Sequence, residues 1–340
     1  MSPSNSAAWL ITAKAKPLEV KPALYTSPGP HEIVIKNAAV AVNPADWFVQ
    51  DIAPFPNTPY PAVLGFDTAG EVVEVGSSVT RFNVGDRVLG LGIFLSNQSN
   101  AHATFQHYTV VPAVIAGPIP STLSFEDAAV IPLGLATAAC GLFQKDYLAL
   151  EYPSLDPKPN GKVLIIWGGS SSLGSNGIQL AVAAGYEVFV TASPKNFDYV
   201  KKLGASQAFD YNSETVVDEL VEALKGREVA GAFDCIGKNG AVESCAAVLR
   251  RFEGNRFVAI AIVVGKMPEG VKSKVIWGDT LKDNEVGKII FEDYIPHALA
   301  QGKFVPAPPS IVVGHGLEEI QKGVDVQRKG VSAQKVVITL

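Results

Sequence analysis

The second half of this 340-residue chain alternates short apolar strands with helical stretches, and this alternation constrains the fold more than any other feature of the sequence. From Lys162 onward the strand-like runs are VLIIW, EVFVTAS, QAFDY, GAFDC and RFVAIAIV. Between them, small and apolar residues recur at helical spacing, and two helices are expected to end at Gly185 and Gly204. Strict alternation of strand and helix predicts an α/β fold with a doubly wound parallel sheet.

The chain before this alternating half predicts an all-β unit. Between Ala8 and about Val111 lie short strands, namely AAWLI, HEIVIKNAAVAV, GEVVEVGS, DRVLGLG and ATFQHYTVV. A helical segment follows, with Ser124 as its N-cap, and the proline-rich stretch 151–162 is expected to be a surface loop. The tail, with FVPAPPSIVV and AQKVVITL, is β again. We therefore expect one domain at 1–125, completed by 296–340, and a second at 126–295.

A turn of small residues follows the first strand of the alternating half and leads into a helix: Gly168-Gly169-Ser170-Ser171-Ser172-Leu173-Gly174. Such a turn lets backbone N–H groups and the helix N-terminus face a pyrophosphate. Serines stand where G-x-G-x-x-G has further glycines, and a purely structural turn is the alternative interpretation. The strand–turn–helix context favours a dinucleotide site.

The end of the second strand of this half discriminates between NAD and NADP. An acid there would hold the ribose 2′-hydroxyl of NAD, but none occurs before Asp198. Ser193, Lys195 and Asn196 instead offer neutral donors and one cation, and Tyr211 could add a hydroxyl donor. The pattern predicts NADPH, with a solvated lysine and an edge aromatic as the structural alternatives.

Charge and composition exclude several classes of protein. The 28 Lys and Arg against 33 Asp and Glu give a net charge of −5 without a block of like charges, so nucleic acid is not expected as a partner. The 47% hydrophobic residues exclude a disordered chain. Three dispersed cysteines fit a reducing compartment, and neither a leader nor an apolar run of about 18 residues is apparent. We expect a cytoplasmic protein without membrane contact.

Six segments together resemble the medium-chain dehydrogenase/reductase superfamily, and the likeness covers nearly the whole chain. They are Asn43-Pro44-Ala45-Asp46-Trp47, Gly65-Phe66-Asp67-Thr68-Ala69-Gly70, Val84-Gly85-Asp86-Arg87-Val88, Pro132-Leu133-Gly134-Leu135-Ala136-Thr137-Ala138, the serine-rich turn, and Phe233-Asp234-Cys235-Ile236-Gly237. The resemblance implies that the β-rich domain is a GroES-like catalytic domain and that the alternating domain is a Rossmann domain.

The resemblance also allows the expected zinc-ligand positions to be compared with this sequence. Zinc alcohol dehydrogenases of the superfamily have Cys where Asn43 stands, His where Phe66 stands and a further Cys around Leu133. Asn, Phe and Leu cannot supply a tetrahedral zinc site, so no metal is expected. His102 and His107, five positions apart in what we predict to be one strand, should face opposite sides of it and share no metal.

Within the superfamily, the serine-rich turn, the insertion at 151–160 and the segments 302–306 and 331–335 look most like fungal trans-acting enoyl reductases. These enzymes serve polyketide synthases that lack a working reductase domain. The likeness implies NADPH-dependent reduction of a small-molecule or carrier-bound enoyl substrate. It also implies a polyketide synthase as transient partner, and a monomer or homodimer. Related enoyl thioester reductases carry a catalytic Tyr where this chain has Pro54 and Phe55, so water is expected to supply the proton.

Roles for single residues follow from the same resemblance. Thr137 and Asn43 are expected to be catalytic, with Asp46 near the nicotinamide, whereas helix packing and an Asx turn are the structural alternatives. Asp67 is expected to be a structural acceptor in a tight turn. Further cofactor contacts are expected at Ile236, Ile260 and Ser332, and substrate contacts at Leu133, Gly134 and Trp277. A buried core Trp is the alternative for Trp277.

Three other functions can be compared with this one. A short-chain dehydrogenase is excluded, because no tyrosine of this chain has a lysine four residues further on. A quinone reductase of the same superfamily would share the zinc-free site and differ in its acceptor. A non-catalytic NADPH-binding protein, as among the lens crystallins of the superfamily, would keep the nucleotide site without turnover.

Overall fold

A computed structural model of the protein describes residues 3–55, 58–262 and 267–340. The chain divides into two compact units. The first unit comprises Met1–Leu133 and Leu299–Leu340, and the second comprises Gly134–Ala298.

The strands are β1 (Asn5–Leu10), β2 (Glu19–Ala23), β3 (Glu32–Val42), β4 (Ala62–Val63), β5 (Asp67–Val75), β6 (Arg87–Leu91), β7 (Tyr108–Pro112), β8 (Ala116–Pro118), β9 (Lys162–Trp167), β10 (Glu187–Ala192), β11 (Gln207–Asp210), β12 (Glu228–Asp234), β13 (Phe257–Ile260), β14 (Lys272–Val275), β15 (Ser310–His315) and β16 (Lys335–Thr339). The α-helices are α1 (Pro44–Ile52), α2 (Phe94–Asn97), α3 (Phe125–Ala128), α4 (Pro132–Phe143), α5 (Ser172–Ala183), α6 (Phe197–Lys202), α7 (Val216–Ala223), α8 (Ala241–Leu249), α9 (Glu285–Lys288), α10 (Ile295–Ala300) and α11 (Ile320–Lys329). Short 3₁₀ turns lie at Asn100–His102, Ala113–Ile115, Pro194–Asn196, Gly278–Asp283 and Leu317–Glu319, and a π-helical turn at Ile289–Tyr294.

The first unit is built on two β-sheets. The smaller has the order β2-β1-β4, and the larger has the order β15-β16-β3-β5-β6-β8 with β7 paired to β3. Because β16 pairs with β3, in antiparallel orientation, the C-terminal tail returns to this unit as predicted. Helices α1 and α11 contact each other, and their Val49, Ile320 and Val324 pack with Val42 and Ile338 of the larger sheet in one apolar core.

The second unit contains one six-stranded sheet with the order β11-β10-β9-β12-β13-β14, and all its pairings are parallel. The interior of β9 is fully buried, as in parallel sheets covered on both faces. This confirms the predicted α/β class with a doubly wound sheet. The carboxyl ends of the strands therefore lie along one edge, which we call the carboxyl edge, where open α/β sheets bind ligands.

The predicted helical segment after Leu123 forms two helices. Ser124 caps α3 by accepting a hydrogen bond from the Asp127 N–H group at 3.1 Å. Pro132 begins α4, where its missing N–H group is tolerated. Helix α3 contacts β3 and β5, so it packs with the first unit. The boundary between the units accordingly falls after Leu133, against the predicted 125, and the second boundary falls after Ala298, against the predicted 295.

The prediction that His102 and His107 share a strand is wrong. His102 ends the 3₁₀ turn Asn100–His102, and His107 precedes β7. The Gln106 amide donates to the carbonyl oxygens of Asn100 and Ala103, both at 2.7 Å, and such side-chain bonds hold a turn in place of a strand. The predicted strand RFVAIAIV ends at Ile260, and Val263 lies outside the described residues.

One helical stretch of the described chain, Phe125–Phe143, is long and apolar enough to cross a membrane. However, 72% of its most apolar window is buried inside the protein, as in a core helix.

Candidate active site

The small-residue turn lies between β9 and α5, at the carboxyl edge of the second unit. Gly168 has φ +85°, and a Cβ atom there would lie 2.5 Å from Ile236 Cγ1. A Cβ atom at Gly174 would lie 2.3 Å from the Gly168 carbonyl oxygen. The helix therefore packs directly on the turn, and both positions require glycine.

Hydrogen bonds from inside the protein hold this turn. Ser171 is the N-cap of α5; its Oγ accepts from the Gly174 N–H group at 3.0 Å and donates to the Gly168 carbonyl at 2.8 Å. From β10, Thr191 accepts the Gly168 N–H group with Oγ1 at 3.1 Å and the Gly169 N–H group with its carbonyl at 2.9 Å. First-turn N–H groups have no intrahelical partner, so this helix start can bind a pyrophosphate.

The predicted 2′-phosphate residues come together at the ends of β10 and β11. Ser193 Oγ and Tyr211 Oη are 3.0 Å apart, and Tyr211 is 44% exposed. Lys195 is exposed on the 3₁₀ turn Pro194–Asn196. The Asn196 amide donates to Ser170 Oγ at 3.3 Å, which links this cluster to the pyrophosphate turn.

The end of β12 forms a second tight turn at the carboxyl edge. Asp234 is fully buried and accepts the Ile236 N–H group at 2.9 Å and the Gly237 N–H group at 3.1 Å. Burial raises the pKa of this carboxyl group. The turn presses the Ile236 side chain against Gly168, beside the pyrophosphate turn. Ile260, the last residue of β13, is fully buried.

Thr137 and Trp277 also come together in the second unit. A Cβ atom at Gly278 would lie 2.7 Å from Thr137 Oγ1, so the residue after Trp277 packs on Thr137. Trp277 is 48% exposed, which excludes the alternative of a buried core Trp. Gly134 lies against the start of α5, because a Cβ atom there would lie 2.8 Å from Ser172 Oγ.

The first unit holds a buried group of polar side chains, which we call the buried charged cluster: Asn43, Asp46, Asp67 and Lys335, all 4% exposed or less. Strand register assembles it. Val42 of β3 pairs with Val336 of β16, and Ala41 of β3 pairs with Asp67 of β5. Asn43, which follows β3, therefore lies beside Lys335 and Asp67, the first residues of β16 and β5.

Lys335 is the cation of this cluster. Its Nζ lies 2.5 Å from Asn43 Oδ1 and 2.9 Å from Asp67 Oδ2. The Asn43 amide donates to the same Asp67 Oδ2 at 2.8 Å, and Asp67 Oδ1 accepts the Leu133 N–H group at 2.6 Å. Asp67 is thus a structural acceptor, at the start of β5 and not in the predicted tight turn.

Asp46 holds the start of α1. Its Oδ2 accepts the Asn43 N–H group at 2.7 Å, and its Oδ1 accepts the Gly65 N–H group at 3.1 Å. Burial raises the pKa of Asp46 to about 7, and the charge of Asp67 acts in the same direction. The two backbone donors and Lys335 oppose this shift.

The positions that hold zinc in the zinc alcohol dehydrogenases of the superfamily do not fit that metal here. The Lys335 ammonium already lies against the oxygens of Asn43 and Asp67 that would face a cation, and a second cation would be repelled. Phe66 offers no ligand atom and is buried. Within residues 3–55, 58–262 and 267–340, no group of three or more His, Cys, Asp or Glu could hold a metal ion.

The remaining predicted contacts lie in the first unit. Leu133 is half-buried, with its N–H group bonded to Asp67 as described. Ser332 is exposed on the segment that leads into β16.

Sequence analysis did not assign a site role to Lys335, Thr191 or Asp234. A polar residue inside an apolar strand, as Thr191 is in EVFVTAS, is a local signal for such a role. Lys335 gives no comparable signal, because a lysine at the start of a strand usually faces solvent.

Comparison with known proteins agrees with this architecture. The alcohol dehydrogenase GroES-like domain family matches residues 29–121, and the zinc-binding dehydrogenase family matches residues 172–293. The zinc-binding alcohol dehydrogenase domain-containing protein cipB of Emericella nidulans is 50% identical over 337 residues, which cover 99% of this chain and 98% of that protein. The trans-enoyl reductase himH of Aspergillus japonicus is 42% identical over 338 residues, covering 99% and 97%. An alcohol dehydrogenase superfamily protein from Novosphingobium aromaticivorans has a solved structure with a TM-score of 0.80, 26% identity and 99% coverage of both chains.

The chain belongs to the medium-chain dehydrogenase/reductase superfamily, and its likeness to fungal enoyl reductases is confirmed. The first unit is the GroES-like domain and the second is the Rossmann domain. The enzymes of this family are oxidoreductases with a nicotinamide dinucleotide cofactor, and the pyrophosphate turn fits that group.

Proposed function

We propose that the protein is an NADPH-dependent, zinc-free reductase of activated C=C bonds that acts in trans on α,β-unsaturated polyketide thioesters. The observation that carries this proposal is the joint presence of a formed pyrophosphate turn and of Lys335 against the oxygens of Asn43 and Asp67. Without a metal to polarise an alcohol, the acceptor that requires the fewest catalytic groups from the protein is an alkene already activated by a carbonyl group.

NADPH selectivity is supported by the groups at the ends of β10 and β11. The Ser193 and Tyr211 hydroxyl groups are 3.0 Å apart, and Lys195 offers the cation for a 2′-phosphate. No Asp or Glu stands between Ser193 and Phe197 to repel that phosphate. The nearest carboxylate on β11 is Asp210, whose Oδ1 accepts from the Asn212 backbone and side chain at 2.9 and 3.1 Å.

In the proposed reaction, NADPH supplies a hydride when it is bound. The hydride adds to the β-carbon of the enoyl thioester, negative charge gathers on the carbonyl oxygen, and the α-carbon then takes a proton from water. Thr137 orients cofactor or acceptor through its hydroxyl group. Both polar atoms of the Asn43 side chain bond inside the buried charged cluster, so Asn43 contributes by fixing the backbone at the start of α1.

The partners follow from the substrate. An enoyl chain can arrive as a small molecule or on a carrier protein. The name trans-enoyl reductase of himH supports action in trans, and a polyketide synthase is the transient partner that we propose. We extend the proposal to a cytoplasmic monomer or homodimer.

An NADPH oxidation assay over four acceptors tests the proposal: an enoyl thioester, a quinone, a free enal and an aldehyde. We expect turnover of the enoyl thioester. Thr137→Val, which removes the hydroxyl group at nearly constant volume, should lower turnover and leave NADPH binding nearly intact. Reduction of quinones without reduction of enoyl thioesters would make the protein a quinone reductase, and NADPH binding without any turnover would make it a non-catalytic binder.

A further inference from the structure

One face of α4 binds the segment that carries Trp277. Residues three and four positions apart share a helix face, as Thr137 and Gly141 do here, and Gln144 follows directly after the last residue of α4. A Cβ atom at Gly141 would lie 2.6 Å from Ile276 Cδ1, so the small residue admits the Ile276 side chain. Together with the contact of Gly278 on Thr137, this docks residues 276–278 on the helix.

Three hydrogen bonds to the carbonyl oxygen of Trp277 hold this segment. This oxygen accepts from Thr280 Oγ1 at 2.7 Å, from the Thr280 N–H group at 3.2 Å and from the Cys140 thiol at 3.5 Å. Burial raises the pKa of Cys140 to about 11, so the thiol keeps its proton and can donate. The Gln144 amide donates in turn to Thr280 Oγ1 at 3.0 Å. Thr280 thus joins α4 to the Trp277 peptide group.

This anchored segment presents an apolar surface at the carboxyl edge. Ile260 pairs with Val275, so Ile262 and Trp277 each lie two residues beyond a registered pair on adjacent strands. Their side chains are 46% and 48% exposed. An indole ring offers a large, rigid, apolar face with little conformational entropy to lose on binding.

We propose that Thr280 is a positioning residue that holds Trp277 beside Thr137 as one wall of the acceptor site, and that Trp277 with Ile262 binds an apolar acyl chain. This inference rests on the proposed function and narrows its substrate class to enoyl thioesters whose chain is apolar beyond the double bond. Thr280 acts through the Trp277 backbone and does not touch the reacting atoms.

The test compares two variants of Thr280. Thr280→Val removes the hydroxyl group at similar size, and Thr280→Ser keeps it. Thr80→Val, at an exposed position of the first unit, is the matched control. For Thr280→Val we expect a two- to tenfold rise in KM for a hexenoyl thioester, the size of one net hydrogen bond, with kcat and the NADPH Kd nearly unchanged. The rise should be smaller for the shorter crotonyl thioester. Thr280→Ser should restore the wild-type KM, and Thr80→Val should not change it.

A fluorescence readout separates this inference from the proposed function. Iodide quenching assigned to Trp277, by difference from the same proteins with Trp277→Phe, should increase in Thr280→Val and return in Thr280→Ser. Unchanged quenching in Thr280→Val would overturn the positioning role, whichever acceptor the protein reduces. Increased quenching with an unchanged KM for the hexenoyl thioester would overturn the acceptor wall. If the wild type reduces no enoyl thioester, the proposed function and the wall fail together, while the quenching result still decides the role of Thr280.

Discussion

The buried charged cluster of the first unit and the predicted 2′-phosphate residues at the carboxyl edge of the second unit differ in how far their polar groups are exposed to solvent. In the cluster, Asp46, Asp67 and Lys335 are at most 1% exposed and bond one another, Asn43 or backbone N–H groups. At the edge, Tyr211 is 44% exposed and Lys195 is on the surface.

This difference in exposure distinguishes polar side chains that stabilise the fold from polar side chains that can bind a ligand. Charges that leave water during folding need partners within the protein, because an unpaired buried charge is strongly destabilising. The cluster therefore uses its charges to fix β16, β5 and the start of α1. Groups that stay in water during folding can give up that water to a phosphate later, so the edge is the place for a ligand.

The largest expected effect is on the cluster. Lys335→Met should lower the free energy of unfolding by about 3–5 kcal/mol, because it leaves the Asp67 carboxylate buried without its cation. Lys162→Met is the matched control, since Lys162 pairs with Glu228 on the surface and should change stability by about 1 kcal/mol or less. Urea unfolding measures both. Equal losses would contradict the contrast drawn between the buried and the exposed lysine.

A smaller effect is expected at the carboxyl edge, and it should concern binding. Lys195→Ala should weaken NADPH by about 10- to 150-fold, the size of a charge-assisted hydrogen bond, and leave NADH nearly unchanged. Lys202→Ala, at an exposed lysine at the end of α6, should affect neither cofactor. Titration of intrinsic fluorescence gives the affinities. An equal loss for NADPH and NADH would refute the 2′-phosphate role.

A further effect concerns how the free energy of unfolding depends on pH through Asp46. Burial raises the pKa of Asp46 from its ordinary value near 4 to about 7, so the folded state holds this proton more tightly than the unfolded state. The resulting stability is fully present below about pH 4 and is lost as pH rises through about 7. The gap in unfolding free energy between wild type and Asp46→Asn should therefore narrow from pH 5 to pH 8. A gap independent of pH would show that Asp46 titrates as it does in the unfolded chain.

Removal of metal should have no effect. Elemental analysis should find no stoichiometric zinc, and a chelator should leave NADPH oxidation unchanged, because Lys335 lies where a cation would bind. Activity lost to the chelator and restored by zinc would contradict this account of the cluster.

The same two regions differ in how far sequence could predict them. The pyrophosphate turn follows from local pattern, since Gly168 to Gly174 lie between one strand and one helix. The meeting of Ser193 and Tyr211 follows from parallel strands whose carboxyl ends share an edge. The buried charged cluster could not be predicted from the sequence, because Asn43 and Lys335 are 292 positions apart and meet only through strand register. The residue pattern around Trp277 also could not show whether this side chain is buried, because its exposure depends on how residues 276–278 pack on α4.

The central claim is that the protein delivers a hydride from NADPH to the β-carbon of an enoyl thioester without metal. Reduction of a hexenoyl thioester with NADPH deuterated at the transferring position, followed by mass spectrometry and NMR of the product, tests it most directly. We predict one deuterium at the β-carbon and a solvent proton at the α-carbon. Deuterium at the α-carbon or at the carbonyl carbon, or a product without label, would contradict the account.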